Sequence, residues 1–402
     1  MLTPTGFLVA TWCCIGLVAA VISLPGTVEL FCLTAAALLP VRKRFFVPNN
    51  RFARLAIVVP AHNEEASVGA CITSLRQAQP GDFSAEIVVV ADNCDDRTAE
   101  VAAQCGARVL VRRDLNLRGK GFALDFAFKR LLAEGVGAFL VVDADTEVAT
   151  NAIREAGGLL QAGAQAVQCR YLVKNPAESI RTRLMNVALL GFNVTRPRGR
   201  DRLGLSCGIY GNGFGMRRET LEEVPYLAAS VVEDLEYHIS LIRAGKRVQF
   251  VDQAVVRGAM PAAGKGVETQ RSRWEGGRFR ILREKTPGLL RDVTRGNLRA
   301  VEPLLDLWLL PLAFHVTLLV VAASAPCTLL RVTGLVGLAV VVIHLFAAIV
   351  VGGGSWRDVA SLLAAPFYVV WKLLLIPALL RNSKSDSTWI RTERNDHQKP
   401  DG

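Results

Sequence analysis

The chain has 402 residues, a net charge of +11 and 51% hydrophobic residues, with a mean hydropathy of +0.31. That is too apolar for a wholly soluble enzyme, and the length accommodates two or three domains. Nine cysteines are scattered with no C-x-x-C pair, which argues against a zinc module or a disulfide scaffold and for reduced thiols. The positive balance fits nucleic acid or an anionic lipid surface; no basic–aromatic interleaving marks a nucleic-acid groove, so no nucleic-acid partner is expected.

At the amino end, residues 7–24 are almost uncharged, and apolar character resumes over 26–40 after Pro25-Gly26, interrupted by Glu29. A cleaved signal peptide lacks support because no basic region precedes the apolar run. The expectation is a transmembrane hairpin within 1–45, with Glu29 near water at its turn. Basic clusters flank the apolar stretches: Arg42-Lys43-Arg44, Arg271 to Lys285, and Arg381 to Arg394. This distribution follows the positive-inside tendency and predicts a multi-pass protein of the inner or plasma membrane with its central domain in the cytoplasm.

Over 52–285 short β-branched runs alternate with helical patterns. Leu55 to Val59 reads as a strand, followed by a helix over 64–78; Glu86 to Val90 is a second strand, and a helix capped by Asp96 runs to Gly106. Arg108 to Val111 is a third strand; Leu124, Phe128, Leu131 and Leu132 form one helical face, and Ala138 to Val142 is a fourth strand. Such alternation predicts an α/β domain with a parallel doubly wound sheet, whose ligands bind beyond the carboxyl ends of the strands.

Polar clusters fall at those ends. Pro60-Ala-His-Asn63 follows the first strand. Asp92, Asn93, Asp95 and Asp96 follow the second; they cap a helix or form an acceptor-rich edge for a nucleobase or ribose. Arg118-Gly-Lys120-Gly121 departs from the Walker pattern, yet its glycines and cations suit a phosphate. Asp143-Ala-Asp145 ends the fourth strand. Two carboxylates this close repel each other, and a hard divalent cation, Mg²⁺ or Mn²⁺, resolves the conflict; the alternative is a solvated turn.

Gly208, Gly211, Gly213 and Gly215 punctuate a turn before a strand, or shape a sugar pocket. Glu233-Asp234 opens a helix carrying Leu235, Ile239 and Ile242; the pair is either helix-terminal charge or a general base. Gln270-Arg-Ser-Arg273-Trp274 either sits at a lipid interface or serves a pyrophosphate and a sugar ring. Residues 170–215 carry no readable pattern. There, Arg196-Pro-Arg-Gly-Arg200 reads first as a solvated loop, with lipid headgroups or an anionic acceptor as the alternative. Toward the carboxyl end, Leu307 to Val351 and Val359 to Leu380 are nearly charge-free. The predicted layout is therefore transmembrane or interfacial helices over 300–381 and a polar basic tail over 382–402. The second stretch is expected to lie at the interface or re-enter, because spanning would put the basic tail outside.

Val58 to Glu65, Ala91 to Thr98, Gly119-Lys-Gly121, Asp143-x-Asp145, Glu233-Asp234 and Gln270-x-x-Arg273-Trp274 occur in the order seen in family 2 membrane glycosyltransferases. The chain resembles that family, which includes cellulose, chitin and hyaluronan synthases and ceramide glucosyltransferases. The resemblance implies a GT-A (Rossmann-like) fold flanked by transmembrane helices and an inverting, metal-dependent transfer, usually from a UDP-sugar. It implies donor binding by Pro60, Asn63, Glu64, Asp92, Asn93, Lys120, Asp143 and Asp145, with Asp92 on the uracil side. Asp143 and Asp145 correspond to the Mn²⁺ or Mg²⁺ site, Asp145 more directly. Asp234, beside Glu233, corresponds to the catalytic base, and Gly211, Asn212, Gln270, Arg273 and Trp274 to the pyrophosphate and acceptor cluster. Val232 stands where the family commonly has Thr, which leaves the capping of that helix open. Trp389-x-Arg391-Thr-x-Arg394 resembles a tail element of bacterial relatives.

The implied acceptor is a growing polysaccharide or a lipid-linked glycan, with membrane lipids around the chain and polysaccharide export partners in the first case. The number of spans expected, two amino-terminal and two or three carboxy-terminal, favours a polymer. A non-processive lipid glycosyltransferase is the alternative; an inactive scaffold of a secretion complex and a nucleotide-sugar transporter rank below both.

Overall fold

The computed structural model describes residues 4–40, 52–227, 232–259 and 265–374; the side chains of Pro4 and of residues 265–275 fall outside that description. The chain forms two compact units, one drawn from 1–40, 179–203 and 278–384, the other containing 41–178 and 204–277.

The second unit is an eight-stranded sheet: β1 (Arg54–Ala61), β2 (Ser84–Asp92), β3 (Arg108–Arg112), β4 (Ala138–Val141), β5 (Glu147–Val148), β6 (Ala166–Val173), β7 (Phe214–Arg217) and β8 (Val248–Gly258). Their order is β3-β2-β1-β4-β7-β6-β8-β5. The first four strands are mutually parallel, as the alternation predicts. The sheet as a whole is mixed, which corrects the expectation of a parallel one: β7 runs antiparallel to both β4 and β6. A contact distant in sequence accompanies the reversal. The Gly N–H at 213 donates to the Val141 carbonyl (2.9 Å), so β7 begins beside the carboxyl end of β4 and brings residues 211–213 next to Asp143.

Both faces of the sheet are covered, which is why the parallel strands read as continuous apolar runs. Leu55, Ile57 and Val59 of β1 pack with Ile72 and Leu75 of the Val68–Gln77 helix and Ile153 and Leu160 of the Ala152–Gln161 helix. Ala56 and Val58, on the opposite face, meet Leu124, Phe128 and Leu131 of the Lys120–Ala133 helix and Leu241 of the Glu233–Arg243 helix. Alternate residues of one strand thus serve two cores. The predicted cap Asp96 lies two residues before the Thr98–Gln104 helix, where its carboxylate accepts from the Thr98 N–H (3.0 Å).

In the other unit, Pro4–Leu38 is one helix with Pro25 inside it. The expected hairpin is therefore not formed. In apolar surroundings a helix satisfies its own backbone groups, and one proline removes a single donor. Gly26 serves packing rather than a turn: a Cβ there stands 2.8 Å from Leu309 Cδ1. Glu29 is likewise not near water. Its carboxylate takes Arg200 at 2.6 Å, and Asp306 takes Arg196 at 2.6 Å and Arg200 at 2.8 Å. Arg196–Arg202 is a helix with Arg196 and Arg200 buried, which overturns the reading of 196–200 as a solvated loop. It continues from the Ile180–Leu190 helix through a π turn, Gly191–Thr195.

Among the described residues, Thr5–Leu38 and Thr328–Gly352 are long and apolar enough to cross a membrane. Leu298–Trp308 and Leu312–Ser324, bent by 81°, form a broken span or a re-entrant loop. The stretch from Val359 is divided between Trp356–Ser361, a 3₁₀ turn and Ala365–Leu374. Residues 375–402, with Trp389, Arg391 and Arg394, lie outside the described residues.

Candidate active site

The carboxyl ends of β1 and β2 are tied together by side chains. Asn63 and Asn93, both at positive φ (55° and 51°), adopt the left-handed turn conformation that Asn tolerates. Asn63 Oδ1 accepts from the Asp95 N–H (2.8 Å), Thr98 Oγ1 from the Glu64 N–H (2.7 Å), and His62 Nδ1 lies 2.8 Å from the Asp92 carbonyl oxygen. Asn93 bridges to the segment after β3, donating to the Asp114 carbonyl (3.1 Å) and accepting from its N–H (2.8 Å). Asp92 is buried and paired with Arg112 at 2.6 Å. Pro60 sits half-buried in β1, in register with Val90. Glu64 accepts from Ser67 Oγ at 2.6 Å.

Next to this group, β4 delivers Asp143 and Asp145. Asn212, which is buried, holds their loop: its Oδ1 accepts from the Asp143 N–H (3.1 Å) and its Nδ2 donates to Thr146 Oγ1 (2.8 Å). Gln168 of β6 holds Asn212 in turn. This fully buried amide donates to the Asn212 carbonyl (2.7 Å) and accepts from the Tyr210 N–H (3.0 Å). Gly211 has φ +75°, and a Cβ there meets Asp234 Oδ2 at 3.3 Å. The backbone conformation favours glycine, and a Cβ would also press on the Asp234 carboxylate.

Lys120, the first residue of its helix, ties the pieces together. Its ammonium donates to Asp143 Oδ1 and to the Gly211 carbonyl (2.5 Å). Burial opposes its charge, but Asp143, Glu233 and Asp234 outweigh burial and raise its pKa. Glu233 is pushed to about 7, by burial first and then by the adjacent Asp234. Burial also raises Asp234, offset in part by the Leu235 N–H, which donates to its Oδ1 (2.8 Å). The pair that opens the Glu233–Arg243 helix is thus a partly desolvated carboxylate cluster with a lysine counter-ion. That environment suits a general base.

Asp143 and Asp145 offer hard oxygen ligands. Among the described residues no group of three His, Cys, Asp or Glu forms a complete cage. The donor set fits a Mg²⁺- or Mn²⁺-type ion that keeps water and substrate phosphates in its shell; Asp143 is also engaged by Lys120.

The structure therefore gathers Lys120, Asp143, Gly211, Glu233 and Asp234 around one point, and Asn63, Glu64, Asp92 and Asn93 at the neighbouring strand ends. Gln270, Arg273 and Trp274 lie on the Lys265–Thr294 helix, but their side chains are outside the described residues. Sequence reading missed Gln168, Thr146 and Arg112. A glutamine in the apolar run Ala166-Val-Gln-Cys169 is the one legible signal among them.

Residues 53–277, more than half of the chain, match the family described as "Glycosyltransferase like family 2". The chain belongs to this glycosyltransferase family. It is 26% identical over 241 residues to "Probable glycosyltransferase YdaM" of Bacillus subtilis, covering 57% of this chain and 56% of that protein. It is 25% identical over 236 residues to "Beta-monoglucosyldiacylglycerol synthase" of Trichormus variabilis, covering 57% of this chain and 50% of the relative. The chain thus spans about half the length of these curated relatives. The mannosyltransferase PcManGT of Pyrobaculum calidifontis, solved with GDP-Man and Mn²⁺, shares the fold at a TM-score of 0.52 and 18% identity, over 84% of this glycosyltransferase and 98% of that chain. The fold of the sheet-containing unit is GT-A.

Proposed function

We propose that this family 2 glycosyltransferase moves a hexose from a nucleotide-sugar donor to a hydroxyl acceptor presented at a membrane, with inversion at the anomeric carbon. The observation that carries the reading is the convergence of Lys120, Asp143, Gly211, Glu233 and Asp234 at the carboxyl end of β4. Asp234 removes the acceptor proton, the acceptor oxygen attacks the anomeric carbon, and the bond to the diphosphate breaks. Lys120 lies where it can offset the charge developing on that leaving group. A divalent ion held by Asp145 and Asp143 supplies further electrostatic stabilisation when bound. Asp92, paired with Arg112, offers an acceptor to a base that carries an imide N–H, as uracil does.

A lipid acceptor and single addition come first. The polymer reading counts two amino-terminal spans together with two or three carboxy-terminal ones, and Pro4–Leu38 is one helix. The likeness to a protein called beta-monoglucosyldiacylglycerol synthase supports the same choice. In this reading the protein sits in the inner or plasma membrane with the GT-A unit in the cytoplasm.

The test is nucleotide release from UDP- and GDP-sugars by the detergent-purified chain, with diacylglycerol-type lipids as acceptors and Asp234→Asn as control. One added sugar per lipid by mass spectrometry, lost in the variant, is the expected result. A ladder of products points to the polymer instead. Full turnover in the variant removes Asp234 as base.

A further inference from the structure

Asp143 is one of the two carboxylates expected to meet a divalent ion, yet its Oδ1 is already taken by the Lys120 ammonium. That ammonium is not a loosely placed surface charge. It is the first residue of the Lys120–Ala133 helix, its side chain is 22% exposed, and it also donates to the Gly211 carbonyl at 2.5 Å. The groups facing it are the carboxylates of Asp143, Glu233 and Asp234. Three carboxylates around one ammonium leave this point with two net negative charges when all are ionised. A divalent ion brings two positive charges to the same place. A nucleoside diphosphate brings negative charge that needs a new cationic partner.

We infer that Lys120 is the resident counter-ion of the donor site: it holds Asp143 while no donor is bound, and it passes to the donor's diphosphate when donor and divalent ion enter. Ammonium and divalent ion thus compete for Asp143, and the ion gains its full ligand set only when phosphate draws Lys120 away. Ordered entry follows, because the site binds metal weakly until the nucleotide arrives. The helix start helps the exchange: Lys120 opens the Lys120–Ala133 helix, so its backbone stays in place and only its side-chain torsions need change. This inference rests on the donor-site reading of Asp143 given above.

The test is Mn²⁺ binding to the full chain in detergent, without nucleotide, followed by the spin-resonance signal of free Mn²⁺. Lys120→Met is expected to bind Mn²⁺ about tenfold more tightly than wild type, because removing a partly buried neighbouring cation strengthens attraction for another. Lys120→Arg, which keeps the charge, is expected to stay near wild type. Lys120→Met with Asp143→Asn is expected to lose the gain, since Asp143 is the ligand that the lysine guards. Thermal unfolding of each variant confirms that it is folded. Equal or weaker Mn²⁺ binding in folded Lys120→Met overturns the inference, as does absence of binding in both proteins. If wild type transfers sugar while that comparison fails, the enzyme reading stands and only the exchange is lost. If no donor is turned over yet Lys120→Met binds Mn²⁺ more tightly, the competition for Asp143 stands while the enzyme reading, and with it the passage of Lys120 to a donor, fails.

Discussion

The side-chain carbonyl of Asn212 accepts a hydrogen bond from the backbone N–H of Asp143 at 3.1 Å, across 69 residues of sequence. This bond joins the loop that carries two expected metal ligands to the loop whose Gly211 faces Asp234. The two loops are therefore mechanically one object, and Gln168 beneath them is its anchor.

Asp234→Asn is expected to lower turnover by about 10²–10⁴-fold, the usual contribution of a general base, while nucleotide affinity changes little. Nucleotide release and equilibrium binding of UDP or GDP, measured side by side, check it.

The pH profile should show an acid limb. Glu233 is pushed to about 7 and Asp234 is raised as well, so activity falls as pH drops through that range and the base takes up a proton. The pair titrates jointly. Glu233→Gln removes one of the two like charges and should move the limb to lower pH. Stability runs the other way. A carboxylic acid whose folded pKa is raised stabilises the fold most below its unfolded value, and that contribution is lost as pH rises through about 7. Rate profiles and melting curves between about pH 5 and 8.5 test both signs.

Gln168→Leu takes away the acceptor of the Tyr210 N–H and a donor to the carbonyl of the buried Asn212. Each unsatisfied group costs about 1–3 kcal/mol. Melting temperature should fall, and donor affinity should fall with it because the 210–213 loop loses its anchor. Normal donor affinity in a destabilised variant would separate Gln168 from the site.

Arg200→Met leaves the Glu29 carboxylate without its closest partner and strips Asp306 of one of its arginine partners. Breaking a buried ion pair from one side costs about 3–5 kcal/mol. Unfolding in detergent reads this loss, and Arg200→Met with Glu29→Leu should recover part of it because no lone charge stays buried.

Asp145→Ala is expected to abolish metal-dependent transfer. Asp143→Asn should be milder toward the ion and should also release Lys120. Mn²⁺ titration of activity in both variants separates the two carboxylates.

The local pattern of residues was enough to place the four parallel strands, the helices between them, and the polar clusters at the strand ends, because alternation and capping are short-range properties. The order of six motifs was enough to place the family. What the sequence could not determine depended on partners far away in the chain. Pro25-Gly26 reads as a turn by itself; it stays helical because Gly26 packs on Leu309, and Glu29 is tolerated because Arg200 neutralises it. Arg196 to Arg200 reads as a solvated loop until Glu29 and Asp306 are beside it. Gln168 is one polar residue in an apolar strand until it meets Asn212, 44 residues on. β7 turns antiparallel because its first residues must bond to the end of β4. Charge and burial at each point are sums over neighbours that only the tertiary fold supplies, so residue types were legible in the sequence while their partners, and hence their ionisation, were decided by the fold.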